Sequence, residues 1–189
     1  IKVSGKSMLI IHPKDKTTKV LSRLYEGLDI RFVDQSKNNT EVKHILNHTS
    51  QVERIMLLGH GSDRGLFSKE NDVMKEFNRL IISHQHAFFL RKHGGNIIGI
   101  WCHAEKFARE EGLHGLFSGM IISEKEEADE YNVSATQEEI DEANEIMFSR
   151  LRSLLDTDTP LHEIPEQLKE MNDKHSPITD FNYKRFFFL

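Results

Sequence analysis

Two side chains in this sequence pair useful chemistry with a suggestive setting: the imidazole of His60 and the thiol of Cys102. His60 follows the apolar run Ile55-Met56-Leu57-Leu58 and stands between Gly59 and Gly61. Cys102, the only cysteine, closes the run Ile97-Ile98-Gly99-Ile100-Trp101. A thiol is a weak nucleophile until it loses its proton, and an imidazole can accept that proton or favour the thiolate. Gly61 has no Cβ, so a substrate carbonyl can come close to its N–H. Together with the N–H of Cys102 it would form a backbone oxyanion hole.

Such a pair works only if the backbone delivers both side chains to one place. The run 7–11 reads as a strand, and 17–27 has helical spacing with a glycine stop. Residues 29–33 alternate like a strand, 39–48 are helical, and 54–59 form a buried strand. After His60 the rhythm changes: 64–68 and 79–83 flank a polar, turn-rich segment, as in a hairpin. A helix over 87–95, a strand over 96–102 ending on the cysteine, a helix over 103–112 and a strand over 116–124 follow. Residues 136–155 form an amphipathic helix opened by a Thr-x-x-Glu capping box, and 163–173 a shorter helix. Strands alternating with helices imply an α/β fold with a mostly parallel sheet covered on both faces. In such a sheet ligands gather beyond the carboxyl ends of the strands, where His60 and Cys102 both fall. Their two strands are expected to be neighbours, about 5 Å apart.

The composition sets outer bounds. With 189 residues the chain suits one domain over 1–189, with a helical segment near 136–173 and an aromatic tail at 181–189. A formal net charge of -5 with no basic stripe argues against a nucleic-acid partner. No apolar run reaches the roughly 18 residues of a membrane-spanning helix, and the apolar stretch near residue 8 is too short for a signal peptide. A cytoplasmic location is expected. One cysteine excludes an internal disulfide and a thiolate metal cage. With no calcium loop, phosphate loop or zinc ligand set in the sequence, no cofactor and no metal are expected.

The block Leu57-Leu58-Gly59-His60-Gly61-Ser62 with its following hairpin, then helix, then Asn96–Cys102, resembles the caspase-like cysteine peptidases, bacterial CHAT and clostripain-like members among them. The likeness covers roughly residues 7–125, about two thirds of the chain. It implies a three-layer sandwich with a hairpin excursion after the histidine strand, and an endopeptidase acting on polypeptides. It also implies Cys102 as nucleophile, His60 as general acid/base and Gly61 as an oxyanion-hole donor. Trp101 departs from the small or amide residue usual before the cysteine. The same fold without catalysis, kept as an interaction module, is an alternative. The Gly-His-Gly-Ser block also resembles the opening of small tetrapyrrole metal chelatases, but there it ends the first strand and here the third.

In the peptidase family the strand after the nucleophile walls the specificity pocket. Ser123 and Glu124 would lie at its end and favour a basic residue, against the plainer reading of 124–130 as a solvated acidic helix start. Arg64, near His60, would instead attract an acidic residue. His84, His86 and His93 read as surface residues. The tail Phe181–Leu189 carries four of the twelve phenylalanines and is expected to dock on the body or on a second copy. A homodimer or a larger complex would form through the acidic helix or this tail.

Overall fold

The computed structural model describes residues 8–68 and 79–189. Its centre is a six-stranded sheet. Strands β1 (Met8–Ile11), β2 (Ile30–Val33), β3 (Arg54–Leu58), β7 (Ile97–Ile100) and β8 (Gly115–Ser118) are parallel, and β9 (Phe186–Phe188) pairs antiparallel at the edge. The spatial order is β2-β1-β3-β7-β8-β9. The chain builds outward from β1 to β2 and then returns to β1's other side, so the direction of winding reverses between β1 and β3. A crevice opens at such a reversal.

Period-2 alternation explains why the sheet is covered twice. Ile10, Met56, Leu58, Ile98, Ile100 and Leu116 face one way, while Leu9, Ile11, Ile55, Leu57, Ile97 and Phe117 face the other. The first face is buried by a 3-10 helix (Lys16–Leu24) and by helices from the C-terminal part of the chain. The other face meets α1 (Asn39–Asn47), α2 (His84–Leu90), α3 (Ala104–Glu111) and a small second sheet. That sheet is an antiparallel meander of β4 (Gly61–Ser62), β5 (Gly65–Ser68) and β6 (Arg79–Ile82). The expected hairpin is therefore present, and the segment joining β5 to β6 lies outside the described residues.

The long helix is α5 (Gln137–Asp156), with α4 (Lys125–Glu130) before it and α6 (Ile164–Glu170) and α7 (Pro177–Asn182) after it. Thr136 caps α5: its hydroxyl accepts from the Glu139 N–H at 3.1 Å, and the Glu139 carboxylate accepts from the Thr136 N–H at 3.2 Å. Apolar residues of α5, Met147, Phe148 and Leu151 among them, pack on the sheet. The aromatic tail docks on the body as β9, with Phe186 2% exposed.

Three expectations need correction. Residues 116–124 are not one strand: β8 stops at Ser118, and 119–123 leave the sheet without regular structure. Side-chain amides replace the missing ladder. Asn182 Oδ1 accepts from the Ile122 N–H at 2.9 Å, and the Asn144 and Asn182 amides donate to the Ile122 carbonyl at 2.9 and 3.0 Å. A buried irregular backbone is tolerable only with such partners. The strand before Cys102 is likewise shorter than its apolar run, ending at Ile100, because the Ser118 hydroxyl takes over both backbone groups of Trp101. Finally, His86 and His93 are buried rather than on the surface, and burial lowers both their pKa values, His86 to about 4. His86 Nδ1 accepts the Ser83 N–H at 3.0 Å and so closes the start of α2. His84 is exposed as expected and meets the Glu111 carboxylate at 2.8 Å.

Candidate functional site

His60 and Cys102 each follow the carboxyl end of a strand, and those strands, β3 and β7, are hydrogen-bonded neighbours. The Gly59 N–H donates to the Ile100 carbonyl at 3.1 Å, which carries the pairing to the point where both chains turn away. Beyond it lies a narrow cleft lined by His60, Cys102, Trp101, Thr17, Ile121 and Ser123, with a volume of about 40 Å³. That is space for one or two waters, not for a side chain.

The histidine side of the cleft is polar and organised by residues that sequence reasoning missed. Asp15 and Thr17 come from the loop after β1, at the head of the 3-10 helix, which Asp15 caps through the Thr17 N–H at 2.8 Å. The Thr17 hydroxyl donates to the Asp15 carboxylate and also contacts His60 Nε2. Asp15 Oδ1 itself lies 3.3 Å from that nitrogen, with its side chain 10% exposed. Nε2 thus faces a hydroxyl and a carboxylate oxygen, and a hydrogen on Nε2 would serve both. The only hint in the sequence was Asp15 opening a helical run just past a strand end.

The cysteine side is built differently. Trp101 is 2% exposed and anchored by its indole N–H to the Ser62 carbonyl at 2.9 Å. After Cys102 the chain turns sharply through His103, which holds φ 68 and ψ 27 in the left-handed region, and enters α3. A non-glycine residue there is strained, and such strain gathers at functional turns. The Cys102 sulfur donates to the Ile121 carbonyl at 3.7 Å, facing the irregular segment 119–123. Burial pushes its pKa up to about 11, and the carboxylates of Glu127 and Glu105 add to the shift. The resting sulfur is thus a thiol.

Gly61 is required for a reason the sequence did not show. A Cβ there would sit 2.2 Å from Trp101 Cδ1 and 2.3 Å from the Gly65 carbonyl oxygen, so packing alone demands glycine. Its backbone still suits a donor. The Phe67 N–H donates to the His60 carbonyl at 2.8 Å, and the next pair, Gly61 with Leu66, is then a non-hydrogen-bonded one. The ladder therefore turns the Gly61 N–H away from β5.

Ser123 lines the cleft, with its N–H and hydroxyl both donating to Glu127 Oε1 at 3.0 and 3.1 Å. Glu124 stands next to it, on a broader acidic hollow shared with Glu126, Asp141 and Glu145. The structure thus gathers His60, Cys102 and Ser123 around one opening, while Glu124 lines the neighbouring hollow, which shares Thr17 and Ser123 with it. Arg64 is not among them: it is exposed on the two-residue turn between β4 and β5. Among the described residues, no group of three or more histidine, cysteine or acidic side chains is placed to hold a metal ion, and no helix is long and apolar enough to cross a membrane. Compared with known proteins, the chain matches no family model, no curated protein and no solved structure.

Proposed function

We propose that this chain is a cysteine endopeptidase of the caspase-like type, with Cys102 as nucleophile and His60 as general acid/base. The observation that carries the reading is the shared cleft: imidazole and thiol at the carboxyl ends of paired parallel strands, both lining the same opening. The hairpin directly after the histidine supports it.

The chemistry runs from the thiol form. His60 Nδ1 takes the Cys102 proton as the sulfur attacks the scissile carbonyl carbon, and the N–H groups of Gly61 and Cys102 meet the oxyanion that forms. Asp15 and Thr17 hold the ring in place. The imidazolium then gives its proton to the leaving amine, freeing it and leaving a thioester. Water, deprotonated by the same ring, hydrolyses the thioester to acid and thiol. The acidic hollow around Glu124 favours a basic side chain beside the cut bond.

A peptide library analysed for new termini tests the proposal. The expected result is cleavage that falls by at least about 10³-fold in Cys102→Ala and by about 10²-fold or more in His60→Ala, with both variants folded. Cleavage that survives Cys102→Ala would overturn it. If Glu124→Ala cleaves after basic residues as well as the parent does, the specificity assignment fails.

One observation favours a second reading, a catalytically silent interaction module of the same fold. The sulfur is bonded to a backbone carbonyl in a cleft of only about 40 Å³. That reading requires no cleavage of any library peptide and no effect of either substitution on the protein's role. The chelatase reading is weaker, because the Gly-His-Gly-Ser block follows the third strand in chain order and His60 Nε2 is engaged by Thr17 and Asp15.

A further inference from the structure

An acidic chain gathers three lysines around one open hollow next to the cleft that holds Cys102, the two sharing Thr17 as a wall. Lys14, Lys16 and Lys19 line a basin of about 800 Å³ beside the carboxyl end of β1. This lies within the range of small-molecule sites, roughly 300–1,000 Å³. It lies between the segment that follows β1 and Phe32 of β2.

The lining is specific in two ways. Lys14 meets Asp34 at 3.5 Å, but among the described residues Lys16 and Lys19 form no ion pair. Asp15, among the described residues the one carboxylate in the lining, is engaged by Thr17 and His60, and Lys16 also borders the acidic hollow around Glu124. Beside the lysines lies an aromatic surface: the rings of Tyr25 and Phe32 are 5.9 Å apart, and Phe32 is 42% exposed. Tyr25 is fixed from behind by His12, whose Nδ1 bonds its hydroxyl at 2.8 Å, and burial holds that imidazole neutral with a pKa lowered to about 4. The basin thus combines dispersed positive charge with an exposed aromatic ring, that of Phe32.

We infer that this basin binds a nucleoside polyphosphate or a compound of the same chemistry, with the ring on Phe32 and the phosphates among Lys14, Lys16 and Lys19. With Lys14 paired to Asp34, the charges of Lys16 and Lys19 remain, and a multiply charged phosphate chain can meet both where a single carboxylate meets one. Lysines act as point charges suited to phosphate, and no arginine fork for a bidentate carboxylate lines the site. In the absence of a glycine-rich loop, side chains rather than backbone amides hold the phosphates. The inference is independent of peptidase activity.

Calorimetric titration of the full chain in metal-free buffer tests it, with adenosine diphosphate and inorganic pyrophosphate as probes. Both should bind saturably at one site, the nucleotide about tenfold tighter through ring stacking. Lys16→Ala and Lys19→Ala, both on exposed positions, should each weaken both probes about fivefold. Phe32→Ala should bring the nucleotide down to the affinity of pyrophosphate and leave pyrophosphate unchanged. No saturable binding, or binding that the lysine substitutions leave intact, would overturn the site. Equal affinity of the two probes in the parent protein would overturn the aromatic half of the assignment.

Discussion

The two walls of the cleft teach by contrast. On the β1/β3 side, Asp15, Thr17 and His60 form a polar chain that orients an imidazole. On the β7/β8 side, Trp101 and the segment 119–123 enclose a sulfur, and burial holds its proton on. One wall orients a titratable ring, and the other keeps the proton on its sulfur. In a peptidase this division means that the sulfur must lose its proton during attack rather than rest as a thiolate. In a silent module the cysteine wall is plain packing.

The largest test of the contrast is the reactivity of Cys102. With its pKa raised from 9.0 to about 11, the thiolate fraction at pH 7 is about 100-fold lower than for an ordinary thiol. Labelling by a thiol-reactive probe should be slower by about that factor, and its rate should keep climbing with pH until about 11. An activated cysteine would do the opposite, labelling faster than a simple thiol at pH 7, and that result would erase the difference between the walls.

Next comes the histidine wall. Asp15→Asn keeps the size of the side chain but removes the charge facing Nε2. Peptide cleavage should fall on the order of tenfold in kcat with KM little changed, since Thr17 still holds the ring. A change in KM alone would mean that Asp15 serves binding rather than orientation.

A smaller effect should come from the pins behind the cysteine wall. Asn182→Ala leaves the buried Ile122 N–H without its acceptor, which costs about 1–3 kcal/mol of stability in urea unfolding. Loosening this segment should also speed the labelling of Cys102, because Ile121 is its direct partner. Lost stability with unchanged labelling would separate the segment from control of the sulfur. Smallest of all, Arg64→Ala on the exposed turn should change cleavage by less than about twofold. A larger loss would restore the substrate contact that its position withholds.

Much of this architecture was legible because it depends on local pattern. Apolar runs such as Ile55–Leu58 and Ile97–Ile100 announce buried strands, and Thr136 with Glu139 announces the start of α5. The pairing of β3 with β7 also followed, since only a helix and a small antiparallel excursion separate them in sequence. The end of β8 was not legible. Met120, Ile121 and Ile122 are as strand-like as their neighbours, yet side chains from residues 144 and 182 offer Ile122 hydrogen bonds that a sheet would otherwise supply. The partners of His60 were hidden for the same reason, because Asp15 and Thr17 are 45 and 43 residues away and meet it only through the order of the sheet.

The sequence by itself thus determined which residues could do chemistry, that they would follow strand ends, and that the strands would form a parallel sheet. These follow from side-chain type and from the periods of local backbone. Tertiary structure alone decided the proton state of Cys102, the orientation of His60 and the reason Gly61 must be glycine. Each depends on atoms distant in sequence: the desolvating wall around the sulfur, the carboxylate beside the ring, and the Trp101 indole where a Cβ would stand. Desolvation, electrostatic neighbourhood and steric exclusion are properties of surroundings, and only the folded chain supplies them.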